Sequence, residues 1–261
     1  SKATPEIDSV GFTMENAGFR IYLNTHDQTN STRFYSWDYS ETWEIRSALS
    51  SAWELRNGKI VERNPDYNIS RCWQENSSSS ILLGSTERLS EDRLSGYPLA
   101  FVEGNSIKLS HLYSILVRQY GLSRDAYQYL ETIKKNTEEI GTIFDPQPSE
   151  LRGNIRCITN PNERVIGWIS AGTVSEKRIF ISSADKPVNW AYRETCEPVI
   201  TIHQDSILRY LAKDFLIYRR EYFPPPPPPY IPPEPWKYGD TIFTIAPKLC
   251  IDCTLRGSNI K

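Results

Sequence analysis

Apolar and polar positions alternate with a period of two along much of the chain, the signature of strands half-buried against a core. Phe19, Ile21 and Leu23 alternate with Arg20, Tyr22 and Asn24, and Tyr35, Trp37 and Tyr39 repeat the pattern. Further apolar, β-branched runs lie at 80–84, 109–120, 165–170, 177–182 and 241–246, divided by clusters of Gly, Pro, Asn and Ser that favour turns. Many short strands with irregular connections predict a mainly β fold, a β-sandwich of immunoglobulin or fibronectin type with helical insertions.

Two segments change period. After Ser123, a natural cap, Ala126, Leu130, Ile133 and Thr137 fall on one helical face, Asp125 sits near the positive end of the dipole, and Gly141 follows the last turn. This predicts a helical insertion near 123–140. A second helix is expected from His203 to Leu211, with Asp205 or Ser206 as cap and Ile207, Leu208 and Leu211 at helical spacing, while 215–218 fits a return to strand.

Pro224 to Pro229 form an unbroken run, followed by Tyr230, Ile231, Pro232, Pro233, Glu234, Pro235 and Trp236. Such a run predicts a polyproline II rod of roughly 19 Å at about 3.1 Å per residue. It suits either a docking ligand for an aromatic groove or a stiff connector, and the flanking Tyr222, Phe223, Tyr230 and Trp236 favour the connector. The expected organisation is a sandwich domain over 1–222, a proline-rich strut over 223–238, and a C-terminal strand and tail over 239–261 that packs on the same domain.

The balance of 30 basic against 32 acidic residues gives a formal net charge of −2, without the electrostatic footprint expected of a nucleic-acid binder. The 261 residues allow one large or two medium domains. No apolar run is long enough for a spanning helix, and the first residues, Ser1 to Pro5, lack the apolar core of a signal peptide. With Met14 the one methionine, the chain reads as a processed or trimmed product.

Chemistry enters with Cys250-Ile251-Asp252-Cys253. This spacing serves half a zinc site, a redox pair or two disulfide ends. Zinc needs a second pair of soft ligands, and Cys72, Cys157 and Cys196 stand singly. A redox pair belongs at a helix start after a strand. Disulfide anchoring needs only suitable geometry and an oxidising compartment. No nucleophile elbow, phosphate loop, dinucleotide turn or zinc-protease helix occurs. His26, His111 and His203 are isolated, and Glu91-Asp92 and Glu138-Glu139 suit solvated surfaces. No catalytic, cofactor-binding or metal residues are therefore assigned, and no enzyme activity is expected.

The seven Trp residues offer the other candidate surface. Trp37 is expected in the core by its alternation, whereas Trp43, Trp190, Tyr230 and Trp236 are the candidate ligand or partner contacts, with a glycan as the alternative ligand.

Across the chain, the ordered landmarks Ile7-Asp8-Ser9-Val10, Phe34-Tyr35-Ser36-Trp37, Glu41-Thr42-Trp43-Glu44, Cys72-Trp73, Tyr113 to Tyr120 and Ala126-Tyr127 resemble a Bacteroidetes outer-membrane lipoprotein family of unknown function. The resemblance continues through Phe144-Asp145-Pro146-Gln147-Pro148, Gly153-Asn154-Ile155, Asn160-Pro161, Val165 to Ser170, Lys177 to Ile181 and Cys250 to Gly257. It implies a lipid-anchored protein at the outer membrane and cell surface, the anchor outside this chain, often encoded beside TonB-dependent receptors. The implied partner is an outer-membrane receptor or assembly protein. Cys72, Cys196, Cys250 and Cys253 match family-like positions, which implies that the two tail cysteines bond to Cys72 and Cys196 and leaves Cys157 free and buried. Asp8-Ser9-Val10, Asp205-Ser206-Ile207 and Asp240-Thr241-Ile242 resemble the O-glycosylation triplet of that bacterial group. The implied function is that of a non-catalytic accessory domain, with a glycan-binding module and an envelope hydrolase as the second and third alternatives.

Overall fold

The computed structural model describes residues 3–138, 153–160, 163–196, 200–211, 213–222 and 241–259. Its elements are, in order, β1 (Ile7–Glu15), β2 (Gly18–His26), β3 (Phe34–Arg46), β4 (Trp53–Arg56), β5 (Lys59–Glu62), β6 (Arg71–Ser77), β7 (Leu82–Ser85), β8 (Arg93–Glu103) and β9 (Leu112–Gly121). There follow α1 (Arg124–Glu138), β10 (Val174–Ser182), β11 (Ile200–His203), α2 (Ile207–Leu211), β12 (Phe215–Tyr222), β13 (Thr241–Pro247) and α3 (Lys248–Ile251). With 46% strand against 16% helix among the described residues, the fold is mainly β, with several antiparallel sheets as the sandwich expectation requires. Two units emerge, neither continuous in sequence. The first comprises Ser1–Thr42, Asn76–Gly104 and Tyr113–Asp185, the second Trp43–Glu75, Asn105–Leu112 and Lys186–Lys261.

In the first unit, Asn16 adopts the left-handed conformation (φ 53°) that lets β1 turn directly into β2. These strands and β8 make a sheet in the order β1-β2-β8, and β9 lies between β10 and β3 in a second sheet to which β7 also pairs through β3. The alternation seen in sequence becomes a buried face: Phe19, Ile21 and Leu23 of β2 are buried, as are Tyr35 and Trp37 of β3 and Tyr113, Ile115 and Val117 of β9. The two sheets face one another. Trp37 packs on Tyr97 of β8 with ring centroids 4.3 Å apart, the Tyr97 hydroxyl donates to the Leu83 carbonyl of β7 at 2.9 Å, and Gln119 of β9 reaches Thr25 of β2.

In the second unit β13 is the central strand of a sheet ordered β11-β13-β12. Ile202, Ile207, Ile217, Phe243 and Ile245 form its core, with Trp53 of β4 and Ile60 of β5 packed against them. β4 and β5 form a hairpin through Asn57 and Gly58, both with positive φ (51° and 74°). Asn-Gly at this position is the favoured chemistry of a two-residue hairpin turn.

α1 begins where its cap predicts: Ser123 Oγ accepts from the Ala126 N–H at 3.2 Å, and Ala126 is buried. Gly141 lies outside the described residues. The second helix is shorter than expected. His203 closes β11, a single 3₁₀ turn covers Gln204–Ser206, and α2 occupies Ile207–Leu211, with Ile207 buried and Leu208 51% exposed. The chain then returns to strand as β12.

The strand expected over 165–170 does not form, and those residues run without ladder pairing. Gly167 holds φ 153°, and the Asn154 side chain, in place of a neighbouring strand, satisfies both backbone groups of Ile169. The proline-rich stretch 223–238 lies outside the described residues.

Candidate functional site

The Cys-x-x-Cys residues are split between partners. Cys253 is bonded to Cys72 and Cys250 to Cys196, with Cα–Cα distances of 5.7 and 5.6 Å, both within the range a disulfide spans without backbone displacement. Local structure explains how one motif serves two bonds. α3 carries Cys250, and Asp252 then caps a 3₁₀ turn by accepting from the Thr254 N–H at 2.9 Å, presenting Cys253 separately. Backbone contacts seat the tail: Cys253 N–H donates to the Ile69 carbonyl at 2.7 Å, Leu49 N–H to the Cys250 carbonyl at 2.9 Å, and Trp73 and Ser258 exchange two bonds of 2.8 Å. Ile69, Ala246, Cys250 and Ile251 form a buried cluster beneath. All four cysteines are consumed in disulfides, so the pair is neither a dithiol redox couple nor half a zinc site.

Cys157 is free, as expected, but it is partly exposed rather than buried. Hydrogen bonding around its sulfur, chiefly from the Thr159 hydroxyl at 3.3 Å, lowers its pKa below the usual thiol value. It sits on an irregular segment, residues 153–160.

The aromatic candidates require correction. Trp43 is 5% exposed and Trp190 9%, so neither offers an open ring face for a ligand or partner. Trp43 instead lies beneath Lys108, whose Nζ is 5.0 Å from the ring centroid, on the inward phase of β3. Tyr230 and Trp236 fall outside the described residues. The histidines are not brought together: His26 pairs with Asp8 and His203 with Asp205. Burial, reinforced by the nearby Arg46 charge, pushes His111 below its ordinary value. Glu44 is buried between Arg46 (2.6 Å) and Arg71 (2.9 Å); burial opposes its ionisation, but the hydrogen bonds from these two guanidiniums outweigh it and hold its pKa low. This is a structural ion-pair arrangement. Among the described residues no three His, Cys, Asp or Glu side chains gather as a metal-holding group.

A concave site lies elsewhere, in the first unit. A cavity of about 770 Å³ is bounded by the end of β9 (Tyr120, Gly121), the start of α1 (Ser123, Ala126), Leu130, Ser36 and the 168–173 segment. Trp168 provides the aromatic wall and packs on Tyr129 of α1, with ring centroids 5.5 Å apart and the planes tilted by 30°. Its position follows from the irregular backbone. Asn154 Nδ2 donates to the Ile169 carbonyl at 2.7 Å while its Oδ1 accepts from the Ile169 N–H at 2.9 Å. Gly153 lies so close to the Gly167 backbone that a side chain there would collide. At the opposite wall the Tyr120 hydroxyl donates to Asp38 at 2.9 Å, and Asp38 accepts from Arg118 at 3.0 Å, fixing the phenol.

Sequence pattern missed this wall because apolar 165–170 mimics a strand. The signals against a strand were present: Gly167 inside the run, and Gly153-Asn154 upstream, a pair whose small and side-chain-bonding residues serve turns.

The model of a protein family described as a domain of unknown function, DUF4249, matches residues 1–178, and the chain belongs to that family. The matched span contains the cavity's lining residues and Cys72, and ends before Cys196, Cys250 and Cys253. No curated protein and no solved structure matches the chain.

Proposed function

We propose that this chain is a non-catalytic accessory domain of a lipid-anchored cell-surface protein of Bacteroidetes, associated with a TonB-dependent outer-membrane receptor or a related outer-membrane assembly. The observation that carries the proposal is the paired disulfides of the C-terminal tail, Cys72–Cys253 and Cys196–Cys250. Persistent structural disulfides belong to oxidising compartments, on the outer side of the cytoplasmic membrane. Membership of the DUF4249 family supports the reading, together with the ordered motifs from Ile7-Asp8-Ser9-Val10 to Cys250-Ile251-Asp252-Cys253 that resemble outer-membrane lipoproteins. The near-balanced charge favours docking by shape and local pairing over long-range attraction to nucleic acid.

Purification of the native protein from cell envelopes in mild detergent tests this. The expected result is co-purification with an outer-membrane receptor or assembly protein in a membrane fraction. Recovery of the protein alone, or in the cytoplasmic fraction, contradicts it. An unbiased substrate screen that finds turnover removes the non-catalytic part of the proposal.

A further inference from the structure

The cavity bounded by β9, α1 and the 168–173 segment is lined by fourteen residues, and none of them is charged. An ionic ligand seated there would meet no counter-charge from the described lining. The lining is not simply apolar either. Tyr120, Leu122, Ala126, Leu130 and Trp168 form the apolar part. Beside them stand the hydroxyls of Ser36 and Ser170, which no described side chain engages, whereas the Trp168 Nε1–H is buried away from the cavity, so Trp168 offers its ring and not its polar tip.

A purely apolar occupant would leave both hydroxyls without a partner. A ligand that presents both donors and acceptors, with apolar faces between them, suits this lining: hydroxyl side chains act as donor and acceptor at once, and indole and phenol rings offer flat apolar faces. The volume of about 770 Å³ is in the range of small-ligand sites. Asn154 donates one hydrogen bond to Ile169 and accepts one from it; it is a positioning residue that holds Trp168 and Ser170 in the wall.

We propose that this cavity is a binding site for a neutral saccharide of one to a few units, with Trp168 as the stacking surface and Ser36 and Ser170 as hydroxyl partners. The site is separate from Trp43 and Trp190, which are buried, and the proposal does not depend on membrane association.

Isothermal titration of the purified chain with cellobiose, maltose, lactose and N,N′-diacetylchitobiose tests it, with digalacturonate and the chitosan dimer as charged counterparts. At least one neutral disaccharide is expected to bind saturably, and both charged dimers at least tenfold more weakly. Trp168→Ala should weaken the neutral ligand at least tenfold. Ser36→Ala and Ser170→Ala, which leave the ring in place, should each weaken it about threefold or more, and these two variants decide the matter if Trp168→Ala fails to fold. Absence of binding by all four neutral sugars, equal binding of a charged dimer, or unchanged affinity in the folded variants overturns the proposal.

Discussion

Trp37 Nε1 donates to Gln119 Oε1 at 2.8 Å, and both side chains are buried. The same Gln119 amide donates from Nε2 to Thr25 Oγ1 and to the Pro5 carbonyl, each at 2.9 Å, so one side chain on β9 ties β3, β2 and the segment before β1. Replacing it with Leu fills similar space but strands three polar groups. At about 1–3 kcal/mol for each buried unsatisfied group, partly relieved by relaxation at the less buried Pro5, Gln119→Leu should cost roughly 2–5 kcal/mol. Urea unfolding checks this, and a midpoint within error of the parent would show that the network is not a stabilising one.

The disulfides close loops of different length. Sequence separations of 181 for Cys72–Cys253 and 54 for Cys196–Cys250 correspond, in the chain-entropy account, to about 5 and about 4 kcal/mol. The Cys72→Ala/Cys253→Ala variant should therefore be the less stable of the two double-alanine variants. Comparing both by denaturant unfolding tests the order. A larger loss on removing Cys196–Cys250 would mean that local packing at the Ile69–Ile251 cluster, not loop entropy, governs the tail.

Acid should weaken the protein in two stages. His111 is held below its ordinary 6.5 mainly by burial, with Arg46 adding, so the unfolded chain binds its proton more readily than the folded one. Its contribution is present above about pH 6.5 and is lost as pH falls through its lowered folded value. Asp27 and Glu44 follow. Burial opposes ionisation of Asp27, yet hydrogen bonds from Thr29, Thr32 and Ser31 overcome it and hold the carboxyl far below its ordinary 3.8. Glu44 is likewise low through Arg46 and Arg71. These contributions are present above the ordinary carboxylate range and fade as pH drops through the folded values. Stability measured from pH 8 to pH 3 should decline first near neutrality and again in the acid range, and His111→Gln should remove the first decline alone.

Asn154 and Gly153 should control the Trp168 wall without touching the hydrophobic core. Asn154→Ala removes the acceptor of the Ile169 amide, and Gly153→Ala forces a side chain against the Gly167 backbone. Both variants should speed hydrogen exchange at the Ile169 amide by about tenfold or more while leaving the β9 amides protected. Unchanged exchange at Ile169 would show that the wall is held by something other than this pair.

The legible parts of the fold are those where one residue decides between faces. Phe19, Ile21 and Leu23, and Tyr35 with Trp37, alternate strictly and are buried together. Ser123 caps α1, and Asp125 follows in its first turn. The β4–β5 hairpin was readable in principle, since Asn57-Gly58 is turn chemistry, but its strands are four residues each and weakly patterned. What periodicity could not display is non-local. The second unit is assembled from three separated stretches of chain, and no local pattern records that. Trp43 and Trp190 show the same limit from the other side: the sequence offers both as candidate contacts, whereas both are buried. At the cavity, Val165 to Ser170 have strand composition, but Asn154, outside the run, takes the hydrogen bonds a neighbouring strand would supply.

The disulfide-clamped tail links the sequence motif to the fold and supports the proposed placement in an oxidising compartment. Non-reducing peptide mapping of protein taken from native cells, with thiols alkylated before lysis, measures it directly. The prediction is Cys72 joined to Cys253, Cys196 joined to Cys250, and alkylated Cys157 alone. Alkylation of Cys250 and Cys253, or stoichiometric zinc retained by the pair, would contradict both the clamp and the location drawn from it.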